Sequence, residues 1–226
     1  MGEILLSARN LVRTLQGGEI KVTLVKDVSL DIEAGHFTAI TGPSGSGKSS
    51  LLYLLGLLDQ PTSGSIHVTG HETTKLNEDK LAQFRLEKLG FIFQFHFLLP
   101  EFTALENVRL PMERLGKIPM KEANEKAAHL LESVGLKDQV HKLPKQMSGG
   151  QCQRVAIARS MANDPTLIMA DEPTGNLDTK SADIVQQMLR DIAHSSGRAV
   201  VAVTHDEAFA SVADRRFHIV DGKIQT

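Results

Sequence analysis

Eight consecutive residues, Gly42-Pro43-Ser44-Gly45-Ser46-Gly47-Lys48-Ser49, fit the spacing G-x-x-x-x-G-K-[ST] in full. Their chemistry is the holding of phosphate. Three glycines let the backbone turn successive N–H groups inward around an anion, and Lys48 carries a full positive charge to the outer phosphates. The Ser49 hydroxyl is a hard oxygen ligand suited to Mg2+, and Ser50 follows it at the edge of the same site. The stretch His36-Phe37-Thr38-Ala39-Ile40-Thr41 ahead of the loop has strand character, and Ser50-Leu51-Leu52-Tyr53-Leu54-Leu55 behind it reads as a buried helix. That helix start adds its own partial positive charge at the same point. The alternative is a glycine-rich turn that binds nothing, and a full match in a strand-to-helix setting argues against it.

Other candidate groups stand where apolar runs end. Gly90-Phe91-Ile92-Phe93 leads to Gln94, Thr166-Leu167-Ile168-Met169-Ala170 to Asp171-Glu172, and Ala199-Val200-Val201-Ala202-Val203-Thr204 to His205. Continuous apolar strands suit a parallel sheet covered on both faces, and such sheets take ligands at their carboxyl ends. The strand ends are therefore expected to meet around one phosphate tail. An Asp closing an apolar strand is the usual second ligand of a phosphate-bound Mg2+, which points to Asp171. Glu172 is placed to accept a proton from the attacking water or to orient it. Gln94 would reach Mg2+ or that water through its amide, and His205 would hold the terminal phosphate and steady Glu172. Ser148-Gly149-Gly150-Gln151 is a second glycine-rich helix start, hence a second anion site or a plain helix cap with small residues for packing. One chain has no obvious need of two anion sites; a neighbouring copy closing over the nucleotide would supply the need.

The elements that position these groups follow from periodicity. Ile4-Leu5-Leu6, Val22-Thr23-Leu24-Val25 and Val28-Ser29-Leu30-Asp31-Ile32 read as short strands and, with 65–70, as an antiparallel flank. A polar helix is expected over 78–88. Thr103-Ala104-Leu105-Glu106 is a capping box that opens a helix running to about Arg114, and Pro119 opens the next, which Gly135 ends. Ser148 starts a helix that Asn163-Asp164-Pro165 stops; 180–193 is amphipathic; Asp221-Gly222 turns a C-terminal hairpin. Residues 95–147 thus read as a helical insertion between the two halves of an α/β core, 1–94 and 148–226. Five of the nine phenylalanines fall between Phe91 and Phe102. Some of these should be core, and the rest, beside Gln94 and Pro100, should form an exposed apolar groove for a partner's short helix.

Bulk properties narrow the function further. The 226 residues, 41% hydrophobic and 23% charged, describe a globular protein, and a net charge of −2 leaves no electrostatic footprint for nucleic acid or an anionic membrane surface. The longest apolar run, 51–58, is too short for a bilayer, and the N-terminus lacks a signal-peptide pattern, so the chain is expected inside the cell. A single cysteine, Cys152, fits a reducing compartment and reads as a small helix residue. His67 and His71 are four apart, but Gly70 between them indicates a strand and turn rather than a zinc site.

Taken in order and spacing, these motifs resemble the ATP-binding-cassette ATPases over nearly the whole chain. The likeness rests on the phosphate loop, Gln94, Met147-Ser148-Gly149-Gly150-Gln151 with Arg154-Val155-Ala156-Ile157-Ala158-Arg159, Leu167-Ile168-Met169-Ala170-Asp171-Glu172-Pro173, Asp178 and His205. Phe93-Gln94-Phe95-His96-Phe97-Leu98-Leu99-Pro100 and Thr174-Gly175-Asn176-Leu177-Asp178 look like its lipoprotein-releasing and macrolide-exporter group. The resemblance implies a single P-loop NTPase domain of ABC type, with an antiparallel β flank and a helical subdomain. It further implies a head-to-tail dimer that sandwiches ATP between the phosphate loop of one copy and Ser148, Gly149 and Gly150 of the other. Lys48 is then assigned to the phosphates, Ser49, Gln94 and Asp171 to Mg2+, Glu172 to catalysis, His205 to phosphate sensing and Asp178 to coupling between copies. It also implies a membrane-spanning permease as partner and a peripheral location on the cytoplasmic face of the cell membrane. One departure stands out. The family stacks adenine on an aromatic residue where this chain has Leu15, and no aromatic residue or histidine precedes His36; Leu15, with Val22, is expected to pack on the base instead. A regulatory ATPase that scaffolds a membrane complex, with turnover secondary, is the competing reading. A DNA-repair ATPase is disfavoured because 95–147 is too short for a coiled-coil arm and no basic stripe exists.

Overall fold

The computed structural model describes residues 2–18 and 20–225. In chain order these form β1 (Ile4–Gly17), β2 (Ile20–Glu33), β3 (Phe37–Thr41), α1 (Lys48–Leu55), β4 (Ser63–Val68), β5 (His71–Glu72), α2 (Glu78–Lys88) and β6 (Leu89–Phe93). There follow α3 (Ala104–Leu115), α4 (Met120–Ser133), α5 (Gly149–Ser160), β7 (Leu167–Asp171), α6 (Thr179–Ser196), β8 (Ala199–Val203), α7 (Glu207–Ser211), β9 (Arg215–Val220) and β10 (Lys223–Gln225). Short 3-10 turns at 137–139 and 144–146 join α4 to α5.

Two sheets carry the chain. The flank is antiparallel in the order β2-β1-β4-β5, and the central sheet runs β10-β9-β3-β8-β7-β6. From β9 to β6 every neighbouring pair is parallel, and only β10 is antiparallel. Every residue of β3 and β8 is buried, as continuous apolar strands covered on both faces must be. Alternation then divides the strands between two cores. Val200 and Ala202 of β8 face α3, α4, α5 and α6, while Ala199, Val201 and Val203 face α1 and the flank. Helix α1 is therefore clamped between the two sheets by Leu51, Leu54 and Leu55, all wholly buried.

The flank differs from the three short stretches expected for it. β1 and β2 are each fourteen residues long, and their pairing slips at several points between Ile4 and Thr14. Bulges account for this: Asn10 and Asp27 both take positive φ, and Asn10 is held there by hydrogen bonds to Ser29 Oγ (2.8 Å) and Asp27 Oδ1 (2.9 Å). Each bulge shifts the inward-outward alternation, so a strict period of two recognises only fragments. The helix starts, by contrast, fall where capping chemistry places them. Thr103 and Glu106 close a reciprocal capping box on α3, and Ser148 and Gln151 close one on α5.

Buried polar side chains fasten the irregular segments. Asn107 of α3, 1% exposed, accepts from Leu99 N (2.8 Å) and donates to Leu99 O (3.1 Å), Phe102 O (2.9 Å) and Thr103 O (3.0 Å). It thereby sets the path of the loop that leaves Gln94. Replacing Asn107 with Ala leaves those backbone groups without their partner, and a loss of about 2 kcal/mol in stability is expected from the cost of unmade hydrogen bonds. Chemical denaturation checks this, and a change below about 0.5 kcal/mol would refute the assignment.

Candidate functional site

Strands β3, β8, β7 and β6 lie side by side in that order, so their carboxyl ends form one edge. Along it stand the 42–49 loop, Thr204-His205, Asp171-Glu172 and Gln94. The sequence expectation that these four strand ends converge holds.

The phosphate loop is built of backbone. Gly42 and Gly47 have φ of 144° and 98°, and an added Cβ would sit 2.0 Å from Ile219 O at Gly42 and 2.3 Å from Leu24 O at Gly47. Only glycine fits either place. Gly222 N donates to Ser46 O and Lys26 N to Gly222 O, which ties the loop to the C-terminal hairpin and to β2. Lys48, 7% exposed, donates from Nζ to Gly42 O and Pro43 O, both at 2.8 Å. Ser46 Oγ is buried without a hydrogen-bond partner among the described residues, a donor available to an anion in the cradle. Pro43, Ser44 and Gly45 are exposed at the rim, and Ser50 is half-buried in the first turn of α1.

Asp171 lies beneath this loop. Its Oδ1 accepts from Ser49 Oγ at 3.0 Å and its Oδ2 from Tyr53 Oη at 2.8 Å. Burial, and then the bond to Asp171, push the Tyr53 phenol up to about 12. Two hard oxygen ligands, one of them anionic, 3.0 Å apart beside an anion cradle are a donor set that suits Mg2+. Glu172, next in the chain, has φ of 46°, a left-handed conformation rarely taken by glutamate, and is fixed there by Glu172 N to Val203 O (3.0 Å) and Gly175 N to Glu172 O (3.1 Å). The turn carries its carboxylate to His205, with Nδ1 and Oε2 2.9 Å apart. Glu172 and His205 with Thr174, Gly175, Thr204 and Asp206 line a polar cavity of about 180 Å³.

Gln94 joins the same turn from the other side. Its Nε2 donates to Asn176 Oδ1 (3.2 Å), Asn176 Nδ2 returns a bond to Gln94 O (3.3 Å), and a Cβ on Gly175 would lie 2.9 Å from Gln94 Nε2. Behind both, the buried Gln153 of α5 donates to Phe93 O (3.1 Å) and Pro173 O (2.8 Å), while Arg159 donates to His96 O and Phe97 O at 2.7 Å each. Tyr53, Gln153, Arg159 and Asn176 were not among the residues expected from sequence. Three of them had a signal: Gln153 and Arg159 lie in the helix that follows Ser148-Gly149-Gly150-Gln151, and Asn176 lies in Thr174-Gly175-Asn176-Leu177-Asp178; Tyr53 had none.

That second glycine-rich start is elsewhere on the molecule. Among the described residues no hydrogen bond or ion pair joins 148–151 to the phosphate loop. Gln151 Oε1 accepts from Ser148 N and Ser148 Oγ accepts from Gln151 N, so both side chains serve as the cap of α5. Gly149 and Gly150 pack on the start of α6, where a Cβ on Gly150 would come within 2.6 Å of Ser181 Oγ. Asp178 caps α6 by accepting from Ser181 Oγ (2.6 Å) and Ser181 N (3.0 Å), bonds that hold its carboxyl below the usual range. Leu15 and Val22 are directly opposed across the β1–β2 pair and about half exposed, and Val22 is two residues from Leu24, whose carbonyl lies against Gly47. Cys152 is buried against Pro144 O, and burial pushes its thiol up, consistent with a small helix residue.

The phenylalanine cluster divides differently from the expectation. Ile92 packs into the core that contains α5, while Phe91 and Phe93 stack on the other face and, with Leu58, Leu86 and Pro111, wall an apolar cavity of about 370 Å³. Phe97 meets Phe93 edge-on at 5.4 Å, and Phe95 and Phe97, both more than 60% exposed, extend the aromatic surface outward as a ridge. The groove is therefore walled by Phe91 and Phe93, and Phe95, Phe97 and Leu99 lie outside it, because the strand ends at Phe93 and the chain turns away.

Comparison with known proteins agrees with this geometry. The family model described as ABC transporter matches residues 25–175. The chain is 54% identical over 205 residues to the lipoprotein-releasing system ATP-binding protein LolD 1 of Chlorobium chlorochromatii, covering 91% of this chain and 83% of that one. It is 47% identical over 224 residues to LolD of Aquifex aeolicus, with 99% and 97% covered. Among solved structures, the dimeric post-hydrolysis state of the ATP-binding cassette MJ0796 bound to ADP and Pi superposes with a TM-score of 0.90 at 39% identity, covering 98% of this chain and 97% of that one. With a phosphate cradle, a carboxylate pair and a histidine on one sheet edge, and with likeness of this extent, the chain belongs to the ABC transporter family as one of its ATP-binding cassettes.

Proposed function

We propose that this chain is the ATP-hydrolysing subunit of a transporter complex, and that it powers a separate membrane-spanning partner in the export or extraction of lipoprotein or another hydrophobic cargo. The observation that carries the reading is the single edge on which Lys48, Ser49 with Asp171, Glu172 with His205, and Gln94 all meet. The names of its LolD relatives supply the cargo class. The chain acts as one ABC ATPase unit over 1–226, with 1–94 and 148–226 as core and about 95–147 as helical subdomain.

Each residue's task follows from its place. The 42–49 backbone and the α1 N-terminus receive the phosphates, and Lys48 Nζ exchanges the Gly42 and Pro43 carbonyls for phosphate oxygens. Ser49 and Asp171, with Gln94 reaching across, would hold Mg2+, which when bound would neutralise charge on the phosphates. Glu172 takes the proton of the attacking water on its carboxylate. His205 Nδ1 fixes the other oxygen of Glu172 and leaves the far side of the ring toward the terminal phosphate. Leu15 and Val22 offer an aliphatic surface to the base. A second copy, related head to tail, brings Ser148, Gly149 and Gly150 over the nucleotide with Asp178 beside them; that the similar MJ0796 cassette is dimeric supports the pairing of two copies. The permease inserts a short helix against Phe91, Phe93 and the Phe95–Phe97 ridge, which places the subunit peripherally on the cytoplasmic face of the cell membrane. Among the described residues no helix is long and apolar enough to cross a membrane.

Two tests bear on this reading. Glu172→Gln should lower phosphate release at least 100-fold, the scale of a lost general base, while ATP with Mg2+ still drives dimerisation in analytical ultracentrifugation. A variant that stays monomeric under those conditions, or that still turns over, contradicts the reading. Phe95→Glu with Phe97→Glu, both on the exposed ridge, should abolish co-purification of the permease subunit and leave ATP-driven dimerisation as it was; an intact complex would exclude the ridge as the docking surface.

A further inference from the structure

Tyr53 is the one tyrosine of the chain, and the chain has no tryptophan. It stands four residues after Ser49 on α1, so the two side chains leave one face of the helix a turn apart. Their hydroxyls end on the two oxygens of one carboxylate, Ser49 on Asp171 Oδ1 and Tyr53 on Asp171 Oδ2, at 3.0 and 2.8 Å. The ring is half-buried and packs on the apolar core between the two sheets, which gives the hydroxyl a fixed base. Packing alone asks for no hydroxyl here: the neighbouring buried positions of α1 are Leu51, Leu52, Leu54 and Leu55.

We propose that Tyr53 is a positioning residue for the metal. By anchoring Oδ2 it fixes the rotation of the Asp171 carboxyl, so that Oδ1, beside the Ser49 hydroxyl, is the oxygen offered to Mg2+. The inference rests on the nucleotide reading given above and adds a residue that neither the phosphate loop nor the strand-end motifs contain. A phenol suits the task because it is a neutral donor: Lys or Arg in its place would cancel the charge that attracts the cation. Partners that orient a ligating carboxylate from outside the coordination sphere matter for affinity, and their loss typically costs 10–100-fold.

Two measurements test it. In the first, Mn2+ stands in for Mg2+, free Mn2+ is counted by electron paramagnetic resonance, and Glu172→Gln serves as background so that ATP is not consumed. Adding Tyr53→Phe should raise half-saturating Mn2+ roughly tenfold, with ATP binding in EDTA unchanged by calorimetry and the thermal midpoint within about 3 °C. Equal Mn2+ retention in the two chains overturns the proposal, as does a parallel loss of ATP binding in EDTA, which marks a purely structural role. In the second, the wild-type chain is excited at the red edge of the phenol band, where Tyr53 alone emits. A carboxylate that accepts a phenol's proton in the excited state quenches it, so emission should rise as Mg2+ is added with ATP and stay constant with ATP and EDTA. A flat response overturns the proposal even if Tyr53→Phe proves unable to fold. If neither chain retains Mn2+ with ATP, the nucleotide reading fails and this inference with it; if both retain it equally, only the role of Tyr53 fails.

Discussion

Parallel pairing of β3, β8, β7 and β6 is the constraint from which the site follows. Four strands paired in parallel, buried throughout in β3 and β8 and nearly so in β7, end along one edge. Polar groups that terminate such strands are thereby collected on one edge without being neighbours in sequence. The clamp on α1 completes the arrangement. Leucines on opposite sides of this short helix fill the space between flank and central sheet, which fixes its axis and hence the directions of Lys48, Ser49 and Tyr53.

Precision at that edge comes from buried hydrogen bonds and from local strain. Glu172 sits in a left-handed conformation that costs of order 1–3 kcal/mol for such a residue, and backbone bonds to Val203 and Gly175 hold it. Gln153 ties the residue before Gln94 to the residue after Glu172, so both turns are fastened to α5. Helix α5 is also the helix whose capped start carries Ser148, Gly149 and Gly150. The element proposed to receive a neighbour's nucleotide is therefore linked to the turns at Gln94 and Glu172 and, through Arg159, to the aromatic surface proposed for the permease.

Legibility in the sequence followed the range of the physics involved. Caps and turns are local, so Thr103, Ser148 and Asp221-Gly222 were readable to the residue. The phosphate loop was readable because its requirement for glycine is set by the backbone itself. The flank strands were not, since bulges at Asn10 and Asp27 break the alternation on which their recognition depends. The aromatic groove was half-readable: composition announced an apolar surface at 91–102, but where β6 stops decided which rings wall it.

The amino-acid order alone determined the fold class and the phosphate-loop motif, and it pointed to Asp171 and Glu172 at a strand end, because each is carried by a contiguous run of residues with a definite spacing. Only the tertiary structure decided which groups serve those residues. Tyr53 meets Asp171 across 118 positions and Gln153 meets Phe93 across 60, and neither contact leaves a periodic or compositional trace. A hydrogen bond between distant segments exists only once packing has brought them together.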